Sequence, residues 1–168
     1  MLIAFGGLPG TGKTTLAKEL AHRLSALYLR IDSIEQAIVG SAVLSEVGPA
    51  GYFVGYAIAA DNLRIGSTVV ADSVNPLAVT RDAWRDVARA KGVRFAEIEL
   101  ICSDPVEHRR RVEHRMADIP DHKLPECKDV LDRQFDVWNR EHIVIDTATV
   151  SVLDAVDELI RRLSEIAE

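Results

Sequence analysis

Apolar residues follow two rhythms along this chain. Short runs, Leu2 to Phe5, Leu27 to Ile31, Thr68 to Ala71 and His142 to Ile145, are rich in Leu, Ile and Val and suit buried strands. Arg94 to Cys102 alternates in part and predicts a further strand. Between these runs apolar residues recur every three or four positions, as in Leu16, Leu20, Ala21 and Leu24. The same spacing gives Val152, Ala155, Val156, Leu159, Ile160 and Leu163 one face near the C-terminus. Predicted helices run from near Lys13 to about Ser25, then over about 33–39, 50–65, 75–91, 104–116, 126–138 and 151–167. Ser33 is a candidate cap for the second helix, and Asn75-Pro76 opens the fourth. Gly40 to Gly48 and the two-proline stretch Ala117 to Pro125 read as loops. Strands alternating with helical crossovers predict an α/β fold with a parallel five-stranded sheet. Three strand runs end on a carboxylate: Asp32, Asp72 and Asp146. In such sheets ligands bind beyond the carboxyl ends of the strands, so the polar chemistry gathers at one edge.

The first strand leads into Gly7-Leu8-Pro9-Gly10-Thr11-Gly12-Lys13-Thr14, followed by Thr15. This is G-x-x-x-x-G-K-T between a strand and a helix, the Walker A pattern that cradles phosphates. Its glycines let backbone N–H groups converge on an anion, and the following helix adds its positive end. Lys13 is placed for the outer phosphates and Thr14 for Mg²⁺. A bound nucleoside triphosphate is expected. No N-K-x-D base-reading motif is present, which favours ATP over GTP.

Asp72 closes a β-rich run, where a carboxylate either holds Mg²⁺ beside Thr14 or caps the next helix. Ser73 follows it, not the glutamate that would activate water, which tilts the reading from hydrolysis to transfer. Asp32 can accept the proton of a substrate hydroxyl during in-line transfer, or cap a helix. His108 to Arg115 is the densest cationic run. On a helix Arg111 and Arg115 share a face, placed to neutralise phosphate charge, or to stand in water with Arg109 and Arg110 beside Glu107 and Glu113. Ser73, Asn75 and Arg81 either touch the acceptor or serve as caps and surface residues. Tyr52, Phe53, Tyr56, Trp84 and Trp138 read as packing.

At 168 residues the chain suits one domain, with 48% hydrophobic and 27% charged residues, as in soluble proteins. A net charge of −6 counts against a dedicated nucleic-acid binder. Cys102 and Cys127 lack CxxC spacing and read as reduced thiols, and the histidines form no zinc pattern with them. The first strand begins at once, leaving no room for a signal peptide, and no stretch is long enough to span a bilayer. A cytoplasmic location is expected.

With the phosphate loop Gly7–Thr14, Asp32 after the second strand, Val69-Val70-Ala71-Asp72 and the Arg111/Arg115 pair, the chain resembles the P-loop kinase-like proteins labelled "AAA domain". It is most similar to small kinases such as chloramphenicol phosphotransferase, gluconate kinase, zeta toxin and the kinase domain of polynucleotide kinase. The resemblance spans nearly the whole chain, although only the phosphate loop is highly specific. It implies a three-layer P-loop NTPase fold with strand order 2-3-1-4-5, ATP and Mg²⁺, and an acceptor hydroxyl activated near Asp32. It also implies a lid over about Met116 to Pro125 and a base-holding loop at Asp146-Thr147-Ala148. The extra domains and sensor arginines of ring-forming AAA motors are missing, and no acceptor motif of the named kinases is present. The expected function is therefore transfer of the γ-phosphate of ATP·Mg to a small-molecule hydroxyl. A nucleotide-dependent switch that acts through a protein partner is the alternative from another class, and a kinase of nucleic-acid ends is a third.

Overall fold

The computed structural model describes residues 1–41, 47–120 and 124–166. Its centre is a five-stranded sheet of β1 (Leu2–Gly6), β2 (Leu27–Arg30), β3 (Val69–Asp72), β4 (Phe95–Ile101) and β5 (Ile143–Asp146). All pairings are parallel and the order is β2-β3-β1-β4-β5, as the resemblance implied. Strands β1 and β3 are buried along their whole length, which explains their unbroken apolar sequence.

Helices cover both faces. On one, α1 (Lys13–Arg23) and α7 (Val152–Glu165) bury Leu16, Leu20, Val156 and Leu159 against Ile3, Phe5 and Ile98. On the other, α3 (Ala50–Arg64) and α4 (Ala78–Ala90) bury Ala59, Leu63 and Trp84 against Leu2, Ala4 and Val69. Tyr56 meets Trp84 edge-on, with ring centroids 4.5 Å apart. Tyr52 also joins this cluster, whereas Phe53 stands in solvent. The remaining helices are α2 (Ile31–Gly40), α5 (Pro105–His114) and α6 (Cys127–Leu131).

Gly55 fixes the distance between α3 and α2. A Cβ there would lie 2.5 Å from Ile31 Cδ1 and 3.4 Å from the Trp84 ring. Gly55→Ala is expected to cost about 1–3 kcal/mol by overpacking, read as a lower urea midpoint with an unchanged slope.

Four boundaries differ from the pattern reading. The second strand stops at Arg30, and Ile31 already opens α2, so Asp32 lies in the first helical turn and Ser33 inside the helix. Helix α4 starts at Ala78, not Asn75, because Asn75 takes φ 52° and Asp136 Oδ2 accepts the Ala78 N–H from across the chain. Arg115 is the cap residue of α5, already extended at ψ 143°. The helix expected over 126–138 is only five residues long. Tertiary contacts take the segment after it. Asp136 N–H donates to the Pro76 carbonyl, buried Arg81 donates to the carbonyls of Asp136 and Val137, and Arg140 pairs with Glu97 and Asp82. Arg81 also stacks 4.4 Å from the Trp138 ring, so it is an internal strut.

Candidate active site

The loop between β1 and α1 holds Gly7, Gly10 and Gly12 at φ 135°, 86° and 87°. A Cβ at Gly10 would come 2.6 Å from Val112 Cγ2, and one at Gly7 would run into the Leu100 carbonyl. The loop is thus pressed against β4 and α5, and only glycine fits. Its anchors are local and distant. Thr11 Oγ1 donates to the Leu8 carbonyl at 2.8 Å, and His108 Nε2 donates to the Pro9 carbonyl at 2.8 Å. The Thr147 hydroxyl lies 3.0 Å from the Thr11 carbonyl, tying the loop after β5 to the cradle. No side chain caps the start of α1 and no acidic residue lies in its first turn, so its positive end faces the cleft uncompensated. Lys13 is buried and donates from Nζ to the Leu8 carbonyl at 2.8 Å. Burial lowers its pKa to about 8, partly opposed by Asp72 and Asp32.

Across the cleft, Asp72 is 3% exposed and accepts the Tyr28 hydroxyl at 2.7 Å. Burial, then the Asp72 charge, drives the Tyr28 hydroxyl pKa well up, so Tyr28 is a fixed donor. Arg30, opposite Asp72 in the sheet register, has Nε 4.0 Å from Asp72 and Nη2 3.6 Å from Asp32. Asp32 does not cap α2, whose cap position is Arg30. One turn further on, Glu35 carries a pKa pushed up to about 7 by burial and then by Asp32, opposed by Arg133.

The arginine run divides. Arg109 and Arg110 are exposed and pair with Glu113 and Glu107, each at 2.7 Å. Arg111 pairs with Glu107 at 2.7 Å and also donates to the Thr147 hydroxyl and carbonyl at 2.8 and 3.0 Å. Arg115 does not share a helical face with Arg111, since it has left the helix, yet both reach the same cleft. Arg115 donates from Nη2 to the Pro125 carbonyl at 3.1 Å, and burial lowers its pKa. Part of the expected lid, residues 121–123, lies outside the described residues. Its described part is anchored through Asp118, which accepts from Lys18 at 2.9 Å and from Arg30 at 2.8 Å.

The cleft measures about 690 Å³. It brings together Pro9, Gly10, Gly12, Lys13, Thr14, Thr15, Asp32, Asp72, Arg111 and Arg115. Gly7, Leu8 and Thr11 shape the loop behind it. The motif reading missed Tyr28, Arg30, Glu35 and Arg133. Tyr28 and Arg30 alternate on β2 toward Asp72, a period-two signal that was there to be read. Arg133 had no signal, because the expected helix hid the irregular segment that carries it into the cleft.

Among the described residues no helix is long and apolar enough to cross a membrane, and no three His, Cys, Asp or Glu gather as a metal cage.

Known proteins share this architecture. The family model described as AAA domain matches residues 2–136. A shikimate kinase of Corynebacterium efficiens is 32% identical over 128 residues, covering 66% of this chain and 76% of that protein. An APS kinase of Mycobacterium tuberculosis, solved with AMPPNP and APS, superposes with a TM-score of 0.73 at 17% identity, covering 97% of this chain and 96% of the other. A gluconokinase of Sinorhizobium meliloti gives 0.68 at 19% identity, covering 98% and 92%. With its glycine loop, parallel sheet and matching family model, the chain belongs to the AAA domain family of P-loop kinases.

Proposed function

We propose that this chain, as a single domain with a lid over about residues 116–125, transfers the γ-phosphate of ATP·Mg to a hydroxyl of a small molecule. The observation that carries the reading is one cleft lined both by the glycine loop with buried Lys13 and by the Asp32 carboxylate. Residues Gly7 to Thr15 bind the triphosphate through backbone N–H groups and the start of α1. Lys13 contacts the β- and γ-phosphates. Asp32 orients the acceptor hydroxyl and takes its proton, while Arg111 and Arg115 neutralise charge that spreads over the phosphoryl oxygens. The shikimate kinase likeness supports a small-molecule acceptor.

The donor set fits Mg²⁺. Thr14 and Asp72 offer hard oxygens to the same cleft, and without an all-protein cage the ion would keep waters and phosphate oxygens as ligands. Bound there, Mg²⁺ would supply charge neutralisation on the phosphate oxygens. The Asp146–Ala148 loop supports the nucleotide base side. Asp146 Oδ1 accepts from the Ser103 and Ala148 N–H groups, each at 3.0 Å, which fixes the loop's shape.

Charged Lys13 is needed for phosphate, and its pKa in the free protein is only about 8. Bound phosphate raises that value, so the complex holds a proton that the free protein loses above pH 8. Nucleotide affinity is expected to fall by up to about tenfold per pH unit above pH 8. An ordinary lysine would hold affinity flat to above pH 10. Titration with a fluorescent ATP analogue from pH 7 to 9.5 checks this, and Lys13→Gln should remove the slope.

The overall reading is tested by incubating the chain with ATP·Mg and a metabolite library and following by mass spectrometry which compounds gain a phosphoryl group. Hydroxyl compounds are expected. A nucleotide-state-dependent protein partner with no phosphorylated metabolite would favour a switch instead. The exposed arginines Arg109 and Arg110 are already paired with glutamates, which speaks against a nucleic-acid-end kinase.

A further inference from the structure

Glu35 is the one acidic side chain of the cleft that makes no hydrogen bond or ion pair among the described residues. It sits one turn after Asp32 on α2, so the two carboxylates face the cleft from one side of the helix. Its stem is pinned. Gly51 of α3 packs so close that an added Cβ would overlap Glu35 Cγ and lie 2.9 Å from Oε1. Glu35 therefore lies over Gly51, where only a glycine leaves it room, and it lines the cleft from there.

The cleft also carries charges of both signs. Lys13 feels the carboxylates of Asp72 and Asp32 and then the cations Arg115 and Arg133. Asp32 and Glu35 form an anionic edge on α2, and Arg133 is the cation that acts on Glu35. Asp32 is partly offset by Arg30, whereas no cation stands within 4 Å of Glu35 among the described residues. Two carboxylates one turn apart repel each other, and a neutral acceptor would leave that repulsion in place.

Resting on the phosphotransfer reading, we propose that Glu35 is an acceptor-recognition residue and that the acceptor is a hydroxylated amine, whose ammonium group Glu35 binds while its hydroxyl lies at Asp32. An ammonium group supplies both the positive charge and the hydrogen-bond donors that Glu35 lacks.

The test uses the full chain with ATP·Mg and matched acceptor pairs, amino alcohols and the polyols that differ only in bearing a hydroxyl for the amine. Wild-type protein is expected to phosphorylate amino alcohols preferentially. Glu35→Gln is expected to raise KM for them about tenfold or more with kcat little changed, and to leave KM for the matched polyols as it was. Glu35→Asp, which keeps the charge, should recover part of the loss. Thermal unfolding of each variant shows that it is folded. Preference for uncharged or anionic acceptors, or an unchanged KM in Glu35→Gln, overturns the assignment and leaves the kinase reading standing. Failure of the wild type to phosphorylate any hydroxyl compound overturns both.

Discussion

Lys13→Met is expected to reduce phosphoryl transfer by on the order of 10³-fold, with no loss of stability. The Lys13 ammonium is the only side-chain cation that the phosphate loop itself supplies, and it is buried in the cradle. In a site shielded from water, removing such a charge from developing phosphoryl charge is costly. The stability half of the prediction has a separate sign. Folding holds the Lys13 pKa below that of a free lysine, so the folded protein binds its proton less tightly than the unfolded chain. The charged form thus opposes folding at pH 7, an effect relieved only as pH rises from about 8 toward the unfolded value. Methionine, similar in length and uncharged, removes that opposition. The unfolding midpoint at pH 7 should stay level or rise while turnover collapses. A variant that loses activity together with its fold would show that Lys13 serves the structure instead.

Asp32→Asn is expected to lower kcat by about 10²–10⁴-fold with nucleotide affinity little changed. Asparagine keeps the shape but cannot accept the acceptor's proton. The carboxylate sits in the first turn of α2, and Arg30 Nη2 lies 3.6 Å away. This contact does not cap the helix, so the substitution should leave α2 intact, and circular dichroism checks this. Separate measurements of kcat and of nucleotide dissociation decide the role. Near-wild-type turnover in Asp32→Asn would remove the base assignment.

The glycine loop of the cleft was legible in the sequence and most of its surroundings were not. The glycine loop is legible because a backbone that must take positive φ and approach β4 closely permits little else at Gly7 and Gly10. The strands are legible because burial on both faces of a parallel sheet demands unbroken apolar runs. Asp32 was placed beside the cleft, yet on a strand end, since nothing local marks the change from β2 to α2 at Ile31. Arg111 and Arg115 were paired by helical spacing. They do reach one cleft, but by a helix that ends before Arg115. The helix drawn through 126–138 failed for a non-local reason. Its residues have helical spacing, but Pro76, Ala78 and Arg81 offer them partners that only the folded chain provides. The bond between Tyr28 and Asp72, and the contacts of Arg30 with Asp72 and Asp118, join residues 44, 42 and 88 positions apart, read from the numbering of each pair. Periodicity cannot report such distances.

The most direct test of the central claim follows the γ-phosphorus of ATP by ³¹P NMR, with Mg²⁺, the wild-type chain and a pool of small hydroxyl compounds. The account predicts that the γ signal is replaced by a phosphate monoester, and that the replacement depends on the pool and is lost in Asp32→Asn. Release of the γ-phosphorus only as inorganic phosphate, at a rate indifferent to the pool, would contradict it.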